Sequence, residues 1–472
     1  MPLILPGNVG SATASTSYNV SNSIRLNDGD SPRLRNAFGT PTNRKKYTFS
    51  AWMKKGKVGN TSGGTEDTLW GVYTDGSNYS YLRINTGPQF EWKIREGGST
   101  VGKIQTNALI RDPSAWLHIV VAYDSTQGTA ANRMKMYING TQVSSFDTET
   151  YVNQNVETTF NESGQNLDIG SDGNGAGYFD GYMAEVVFID GQQLAPDQFG
   201  EFDSDSGIWK PIDVSGLTFG DNGSYLDFED SSALGNDVSG NNRDFASTNL
   251  AATDQSIDTC TNNFATMNSI DNLAAGSAFS EGNLKIVTTS GNITYNTSTI
   301  GFSSGKWYME TKLAGSAGYT VGVVRGVSTA NDNDNKLGNR ADGWSYDDGG
   351  DVEHNGGSLT GSFASYSSGD IIGVYADLDN NELYFSKDGA LQNSGTGLAL
   401  TAGTYFFAVG DNNASNSSTY EVNFGGTNTY SVSSGNTDGT YGNFEYSTTI
   451  TGDGASKTFK ALNTKNLAEY GG

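Results

Sequence analysis

The sequence contains few of the residues that form disulfide frameworks and catalytic acid–base pairs. Its 472 residues include one cysteine, Cys260, and two histidines, His118 and His354. A single thiol cannot form a disulfide within the chain, and neither histidine has a serine or cysteine partner at the spacing of a catalytic motif. We therefore expect Cys260 to be inert and both histidines to be structural or to lie on the surface.

Basic residues and long hydrophobic runs are also scarce. Lysine and arginine number 28 against 52 acidic residues, which gives a formal net charge of −24. Binding to nucleic acid or to an anionic membrane surface requires clustered lysine and arginine. No hydrophobic run approaches the length of a transmembrane helix, and residues 1–8 lack the features of a signal peptide. The sequence therefore predicts no nucleic-acid binding, no membrane insertion, and a cytoplasmic protein that no signal peptide exports.

Proline is rare, with 8 residues, whereas glycine is abundant, with 62. No long segment carries apolar residues at the 3.6-residue spacing of an amphipathic helix. Abundant glycine, serine, threonine and asparagine are typical of short strands joined by tight turns. An aromatic content of 11% with only 17% charged residues indicates large side chains packed between sheets. The composition therefore predicts an all-β protein.

One supersecondary pattern occurs twice. Residues 116–143 contain an apolar run, a polar loop, an alternating strand and the pair Asn139-Gly140, which tolerates the positive φ angles of a type I′ hairpin turn. Residues 371–391 repeat this order and turn at Asp388-Gly389. Two copies of one unit predict two sandwiches in a single chain.

We therefore predict two antiparallel β-sandwiches in tandem with a short packed connector. The expected segments are an N-terminal arm at 1–20, a first sandwich at 21–205, the connector at 206–275, a second sandwich at 276–430 and a C-terminal tail at 431–472. The connector should be ordered because it carries too many aromatic side chains for a free linker. These are Trp209, Phe219, Tyr225, Phe228, Phe245 and Phe264.

The first sandwich contains, in order, the motifs F-S-A-W, W-L-H-I-V-V-A-Y-D, M-K-M-Y-I-N-G, L-D-I-G, Y-F-D-G-Y-M-A-E-V and L-A-P-D-Q-F. This series resembles the laminin-G/concanavalin-A-like lectin fold. The resemblance implies a two-sheet jelly roll that binds glycan or protein, often with calcium at its rim. It makes Asp172 and Asn174 candidate calcium ligands, although turns also select these residue types for local hydrogen bonds. No other cofactor is expected.

The second sandwich contains W-Y-M-E, I-G-V-Y-A-D and L-Y-F-S-K-D-G, and resembles the SPRY (B30.2) domain, whose loops bind protein or glycan. The opening S-I-R-L-N, the joint D-T-C-T-N-N-F-A-T-M-N and the close F-K-A-L-N-T-K-N-L resemble tailed-phage structural proteins. This resemblance implies a virion protein, such as a fibre, a baseplate adhesin or a capsid decoration, that is assembled in the host cytoplasm. Its partners would be other virion proteins and a host surface glycan or protein. We expect a homo-oligomer, a trimer formed through the arm and the connector.

Aromatic residues near loops are the candidate ligand-binding residues, because sugars stack on aromatic rings while acids and amides bind their hydroxyl groups. A groove in the first domain is expected at Trp70, Tyr73, Tyr79, Tyr81 and Tyr178. A loop in the second domain is expected to present Trp344 and Tyr346 among Asp342, Asp347 and Asp348. The alternative for each ring is a place in a core.

A third reading is a cellular lectin-like adhesin, which would be expected to carry a secretion signal. The main alternative function is that of an enzyme, a glycan depolymerase acting on host surface polysaccharide. Glycosidases of the concanavalin-A-like fold use the pattern Glu-x-Asp-x-x-Glu, in which two carboxylates act as nucleophile and acid. The corresponding segment is Glu91-Trp-Lys-Ile-Arg-Glu96, in which Lys93 replaces the central aspartate. This departure favours a protein that binds and does not catalyse.

Overall fold

The structure is a computed structural model that describes residues 18–57, 66–270, 276–291, 293–325, 336–415, 417–437 and 441–471. It contains 43% strand and 6% helix, arranged in several antiparallel sheets, which confirms the predicted all-β fold. The chain divides into two compact units, the first ending at Thr261 and the second beginning at Asn262. Within the described ranges, no helix has the length and hydropathy needed to cross a membrane.

The first unit contains eighteen short strands. They are β1 (Ser23–Leu26), β2 (Arg33–Ala37), β3 (Lys46–Lys55), β4 (Asp67–Asp75), β5 (Asn78–Ile84), β6 (Phe90–Glu96), β7 (Ser99–Thr106), β8 (Leu117–Asp124), β9 (Met134–Ile138), β10 (Thr141–Gln142), β11 (Phe146–Thr150), β12 (Asn166–Ile169), β13 (Gly181–Asp190), β14 (Gly200–Phe202), β15 (Trp209–Pro211), β16 (Ser224–Leu226), β17 (Ala246–Thr248) and β18 (Gln255–Ser256). Single-turn 3₁₀ helices lie at Asp28–Asp30, Ala130–Asn132, Pro196–Gln198 and Ala252–Asp254.

Two eight-stranded sheets enclose the core of this unit. The first has the order β10-β9-β8-β3-β13-β1-β18, with β16 beside β13, and the second has the order β11-β7-β6-β5-β4-β12-β2-β17. Alternation on β3 directs Tyr47, Phe49 and Met53 into the core, where Tyr47 packs beside Trp92 and Phe49 beside Trp70 of the opposite sheet. The predicted hairpin is present, and Asn139 has the positive φ angle that its turn requires.

The second unit contains seventeen strands and one helix. They are β19 (Ala278–Ser280), β20 (Lys285–Val287), β21 (Tyr295–Thr297), β22 (Lys306–Gly315), β23 (Tyr319–Arg325), β24 (Gly343–Asp347), β25 (Val352–His354), β26 (Gly357–Ser358), β27 (Ile371–Asp377), β28 (Glu382–Lys387), β29 (Ala390–Leu391), β30 (Leu398–Ala399), β31 (Tyr405–Asp411), β32 (Ser418–Asn423), β33 (Thr449–Gly452), β34 (Ala455–Thr458), β35 (Lys460–Ala461) and α1 (Thr464–Tyr470). Single-turn 3₁₀ helices lie at Leu337–Asn339 and Asn393–Gly395.

The core of the second unit also lies between two sheets. One has the order β19-β20-β32-β22-β27-β28-β29, with β30 beside β28 and β35 beside β22, and the other has the order β21-β31-β23-β24-β25-β26. Trp307 of the first sheet and Trp344 of the second belong to one hydrophobic cluster. The second predicted hairpin, from β27 to β29, is present at the edge of the larger sheet.

The predicted connector at 206–275 is not a separate segment. Strands β16, β17 and β18 pair with β13, β2 and β1, so residues up to Thr261 complete the sheets of the first unit. The connector aromatics are buried for this reason: Phe228 and Phe245 enter the main core, and Phe219 and Tyr225 pack beside Val120 and Val187. The part from Asn262 onward belongs to the second unit.

The predicted tail at 431–472 is likewise part of the second unit. Phe444 and Phe459 pack against Tyr308, Tyr375 and Tyr384 on the outer side of the larger sheet. Strand β35 pairs in parallel with β22 and extends that sheet. The predicted arm lies outside the described residues as far as residue 17. The described chain begins at Tyr18, whose hydroxyl donates to Glu185 Oε2 at 2.9 Å.

Candidate functional site

The outer side of the second sheet of the first unit carries a group of tyrosines and basic residues. On β5, Ser80, Leu82 and Ile84 are buried, so the residues between them face outward. On β6, Phe90, Trp92 and Ile94 fill the core in the same way. We use the name tyrosine face for the outward side chains Tyr73 of β4, Tyr79 and Tyr81 of β5, and Lys93 and Arg95 of β6.

Planar groups stack on one another across the tyrosine face. The ring centroids of Tyr73 and Tyr79 are 6.2 Å apart with planes inclined by 18°, and those of Tyr79 and Tyr81 are 5.7 Å apart with planes inclined by 10°. The guanidinium carbon of Arg83 lies 4.2 Å from the centroid of Tyr81. Residues two apart on a strand share a side, which explains how Tyr79, Tyr81 and Arg83 form one column. Tyr73 and Tyr79 are half-buried, whereas Tyr81 is buried, with 7% exposure.

Lys93 and Arg95 are the basic members of the tyrosine face, and strand register places them opposite Tyr81 and Tyr79. The Lys93 Nζ lies 5.4 Å from the centroid of Tyr79, and the Arg95 guanidinium carbon lies 6.0 Å from it. Within the described residues neither side chain has a carboxylate partner, and Arg95 Nε is buried without a hydrogen-bond partner. The tyrosine rings are therefore their principal neighbours.

The neighbouring basic residues, in contrast, are paired with Glu91. Its Oε1 accepts hydrogen bonds from Tyr81 Oη at 3.0 Å and Arg83 Nε at 2.9 Å, and its Oε2 lies 2.7 Å from Lys103 Nζ. Burial raises the pKa of the Glu91 carboxyl, but the hydrogen bond from Lys103 and the charge of Arg83 outweigh it, so the net shift of the pKa is downward. Glu91 is therefore ionised at neutral pH.

Glu96 has a different environment from Glu91. Its Oε1 accepts hydrogen bonds from the backbone N of Thr159 at 2.5 Å and from Thr159 Oγ1 at 2.8 Å. A register irregularity between Ile94 and Arg95 interrupts the pairing of β6 with β7, and it lies between Glu91 and Glu96 along the strand. The two glutamates share no hydrogen-bond partner in the described part of the chain.

The loop between β12 and β13, at residues 170–180, lies against the sheet beside the tyrosine face. It crosses β4 at Gly71, where an added Cβ would lie 2.3 Å from the carbonyl carbon of Asp172, so only glycine fits. Asp172 Oδ1 accepts hydrogen bonds from the backbone N of Asn174 at 2.8 Å and of Ala176 at 3.0 Å. Tyr178 is half-buried at the end of this loop.

The predicted calcium ligands therefore have a local structural role, because Asp172 holds the turn that contains Asn174. In the ranges that the structure describes, no group of three histidine, cysteine or acidic side chains is arranged to hold a metal ion. Calcium binding by Asp172 and Asn174 stays a prediction.

Trp70 does not belong to the tyrosine face, which corrects the expectation that it lines a groove. It lies one residue before Gly71 on β4 and points into the core, where its ring centroid is 4.4 Å from that of Phe160 and 6.0 Å from that of Phe49. Its exposed fraction is 0%. Side chains alternate between the two sides of a strand, so Tyr73, three residues after Trp70, points to the outer side of the sheet.

The predicted loop around Asp342–Asp351 is mainly the hairpin of β24 and β25, and its two rings are core residues. Trp344 is 2% exposed and stacks on His354 with centroids 3.9 Å apart, and Tyr346 is 0% exposed with its hydroxyl donating to the carbonyl O of Ala364. These positions correct the expected exposure of both rings. They are buried because β24 joins β23 and β25 in the sheet that covers the core.

The acids of this hairpin stabilise its turns. Asp347 Oδ1 accepts hydrogen bonds from the backbone N of Gly349 at 3.0 Å and of Asp351 at 2.9 Å. Asp348 accepts from the backbone N of Gly318 and from Asn412 Nδ2, each at 2.7 Å. Asp342 is paired with Arg340 at 2.8 Å. These contacts leave few free oxygen atoms for a ligand.

The structure also reveals a serine–histidine pair that the sequence spacing did not suggest. His118 Nε2 lies 2.8 Å from Ser50 Oγ, and Trp209 Nε1 donates to His118 Nδ1 at 3.0 Å. Because an indole nitrogen can only donate, Nδ1 is the acceptor, and Nε2 carries the proton that it donates to Ser50. Burial lowers the pKa of His118 to about 3. A histidine that already donates to the serine cannot remove its proton, so the pair is structural.

Two family matches correspond to the two units. Residues 22–197 match the family described as the concanavalin A-like lectin/glucanases superfamily, of the laminin G type, and residues 306–427 match the SPRY domain. The chain contains a concanavalin A-like domain followed by a SPRY domain. The tyrosine face belongs to the concanavalin A-like domain, and the hairpin with Trp344 belongs to the SPRY domain.

Some solved structures are similar to parts of the chain. The SPRY domain of human HERC1 is 20% identical, with a TM-score of 0.26, and the match covers 31% of this chain and 90% of that one. The heptameric SAP-like pentraxin of Limulus polyphemus is 15% identical, with a TM-score of 0.29, and the match covers 39% of this chain and 82% of that one. A search of curated proteins gave no match.

Proposed function

We propose that this chain is a non-enzymatic binding protein whose concanavalin A-like domain contacts a glycan or protein of a host cell surface through the tyrosine face. The observation that carries the proposal is the pair Lys93 and Arg95, which lies beside Tyr79 and Tyr81 without a carboxylate partner in the described residues. In a chain with net charge −24, half-buried basic residues that have no carboxylate partner are available for a ligand.

Catalysis is the second candidate, because Glu91 and Glu96 occupy the strand on which glycosidases of this fold carry their carboxylates. Glu91 is ionised and bound by three donors, and Glu96 is bonded to Thr159. A glycosidase needs an acid and a nucleophile that act together on opposite sides of one bond. The two carboxylates have no hydrogen-bond partner in common, so no described contact holds them as such a pair. We expect the chain not to release reducing ends from host surface polysaccharide. If the chain releases reducing ends and the Glu91→Gln variant does not, the result would favour the depolymerase.

The proposal includes a place in the virion of a tailed phage, as a fibre, a baseplate adhesin or a capsid decoration. Its support is the resemblance of the opening, the joint and the close of the sequence to phage structural proteins. Other virion proteins would then be partners, and assembly would occur in the host cytoplasm. Mass spectrometry of purified particles tests this placement, and absence of the chain from particles that carry all other structural proteins would contradict it.

We also propose a homo-oligomer, a trimer. The aromatic residues of the connector no longer support it, because they are buried within the chain, and the arm lies outside the described residues up to residue 17. Closed cyclic symmetry is the common solution for proteins that form oligomers. Light scattering should give three times the chain mass of 50.0 kDa, and a monomer at micromolar concentration would contradict the trimer.

The binding function is tested with the full chain on an array of bacterial surface glycans and on intact bacterial cells. We expect the chain to bind, and the double variant Lys93→Gln, Arg95→Gln to bind less. The matched control is Lys135→Gln, a half-buried lysine of β9 in the other sheet. Binding that is equal in all three proteins would contradict the assignment to the tyrosine face, and no binding to any glycan or cell would contradict the function.

A further inference from the structure

We propose that the tyrosine face recognises an acidic polysaccharide, a polymer whose sugars carry carboxylate or sulfate groups. The inference rests on the proposed function, because it names the ligand class of the same face. Two independent features support it: the charge of the face and the orientation of its rings.

The outer side of the sheet lacks the acidic excess of the whole chain, because its basic and acidic side chains are equal in number. The six basic side chains there are Arg33, Arg35, Arg83, Lys93, Arg95 and Lys103. The six acidic ones are Glu66, Glu91, Asp147 and Asp168, with Asp75 at the turn between β4 and β5 and Asp172 in the loop that covers β4. Asp168 pairs with Arg35, and Glu91 pairs with Arg83 and Lys103. Lys93 and Arg95, in contrast, have no carboxylate partner in the described residues and can pair with an acidic group of a ligand. Because a net charge of −24 repels a polyanion elsewhere, binding would be confined to this face.

The orientation of the rings favours an anionic ligand over a neutral sugar. Tyr79 stacks on Tyr73 and Tyr81, and Tyr81 also stacks on Arg83, so these rings offer little free face on which a sugar could lie. The edge of an aromatic ring is electropositive. No hydrogen bond joins the hydroxyls of Tyr73 and Tyr79 to another described residue. The face thus presents ring edges, phenol donors and two cations, and all of these attract oxygen atoms with negative charge.

The spacing of the cations suits a polymer with repeated charges. Lys93 and Arg95 are two residues apart on β6, which separates their Cα atoms by about 7 Å. A polysaccharide with acidic groups on successive sugars can meet both cations while its hydroxyl groups bond to Tyr73 and Tyr79. An acidic peptide is less suitable, because β5 and β6 are paired on both sides and have no free backbone edge to hold an extended chain.

The experiment measures binding of the full chain to four polymers by calorimetry at low and high salt. The polymers are dextran sulfate, hyaluronate, uncharged dextran of the same length as the sulfate, and poly-glutamate. We expect both acidic polysaccharides to bind, with weaker binding at high salt, and dextran and poly-glutamate not to bind. Tighter binding of dextran sulfate would indicate a preference for sulfate groups, and tighter binding of hyaluronate a preference for carboxylate groups.

The variants locate the site. Lys93→Gln, Arg95→Gln should weaken binding about tenfold or more, because each substitution removes a charge-assisted hydrogen bond. Tyr79→Phe keeps the ring and removes one hydroxyl, so it should weaken binding by about threefold to tenfold. Lys135→Gln should bind as the unaltered chain does. Melting curves show whether each variant is folded, and these partly exposed side chains should not change them.

Three results would overturn the inference. Dextran binding as well as dextran sulfate would show that charge is not recognised, although the proposed binding function would then stand. Poly-glutamate binding with the same loss in the double variant would assign the face to an acidic peptide. An unchanged affinity of the double variant, or an equal loss in Lys135→Gln, would remove the ligand from the tyrosine face.

Discussion

Glu310 is a buried carboxylate of β22 on which the C-terminal part of the second unit, called the SPRY unit below, depends. It is 0% exposed, and its Oε1 accepts hydrogen bonds from Asn423 Nδ2 at 3.0 Å, Tyr430 Oη at 2.8 Å and the backbone N of Glu445 at 2.7 Å. Its Oε2 accepts from Tyr308 Oη at 3.0 Å and the backbone N of Tyr446 at 3.3 Å. Three of these donors belong to Tyr430, Glu445 and Tyr446, so one side chain holds these three residues against the sheet.

Replacing Glu310 by alanine should cost about 3–5 kcal/mol of unfolding free energy. Each buried donor left without a partner costs about 1–3 kcal/mol, and five donors lose theirs. The sum is not reached, because water enters the vacated space and the hydroxyls turn to other acceptors, so we take about 3–5 kcal/mol, at or below the lower end of that sum. Glu310→Gln keeps one acceptor oxygen but turns an amide donor toward other donors, and should cost about 1–3 kcal/mol.

Urea unfolding followed by tryptophan fluorescence measures these costs, and the two units are analysed as separate transitions. Only the transition of the SPRY unit should move. Limited proteolysis should cut the segment at 430–446 faster in Glu310→Ala, because opening of that segment becomes easier. Glu421→Ala, a half-buried glutamate of β32 in the same sheet, is the matched control. A midpoint shift in Glu310→Ala no larger than the control's, with unchanged proteolysis, would refute the reasoning.

Four further predictions follow from other features. Trp344→Ala should destabilise the SPRY unit by about 3–5 kcal/mol, as expected for a core tryptophan, and an unchanged melting temperature would contradict its core position. Gly71→Ala should cost about 1–3 kcal/mol in melting experiments, because its Cβ would clash with the backbone of Asp172; no cost would contradict the close approach. Calcium at millimolar concentration should raise the melting temperature if Asp172 is a ligand, and Asp172→Asn should abolish that rise; no rise would refute calcium binding. Burial raises the pKa of Glu185 to about 7, so the folded protein holds this proton more tightly than the unfolded chain and loses stability as the pH rises from about 5 to 8. Glu185→Gln should lose less over that range, and melting curves with equal pH slopes for the two proteins would contradict this.

Local patterns were enough to predict the fold and the strands that carry the tyrosine face. Tyr79 and Tyr81 alternate with buried residues on a strand at hairpin spacing, and the sequence therefore placed them together with Tyr73. Lys93 and Arg95 were not recognised as part of the face, because their position opposite the tyrosines depends on the register of the next hairpin. The alternation of polar and apolar residues in E-W-K-I-R was the signal that could have indicated them.

The positions of Trp70 and Trp344 could not be inferred from the same patterns. Residues 68–72 are all buried, because the loop at Asp172 covers the outer side of β4, so alternation does not show which side of the strand faces the core. Gly343–Asp347 is also buried throughout. The connector was misjudged for a different reason: β16, β17 and β18 pair with strands far away in the sequence, and a local pattern contains no sign of such pairing.

In each unit the chain enters and leaves at neighbouring points. Val20 N donates to Thr261 Oγ1 at 3.1 Å in the first unit, and in the second the backbone N of Ala265 donates to the carbonyl O of Leu462 at 2.9 Å. A module with adjacent ends can be inserted into a surface loop of another protein without forcing that loop apart. It can also be circularly permuted, with a short linker across the old ends and new ends at an exposed turn such as Asp388-Gly389. Either unit could therefore be moved between scaffolds as a cassette, which would allow the tyrosine face to be displayed apart from its native chain.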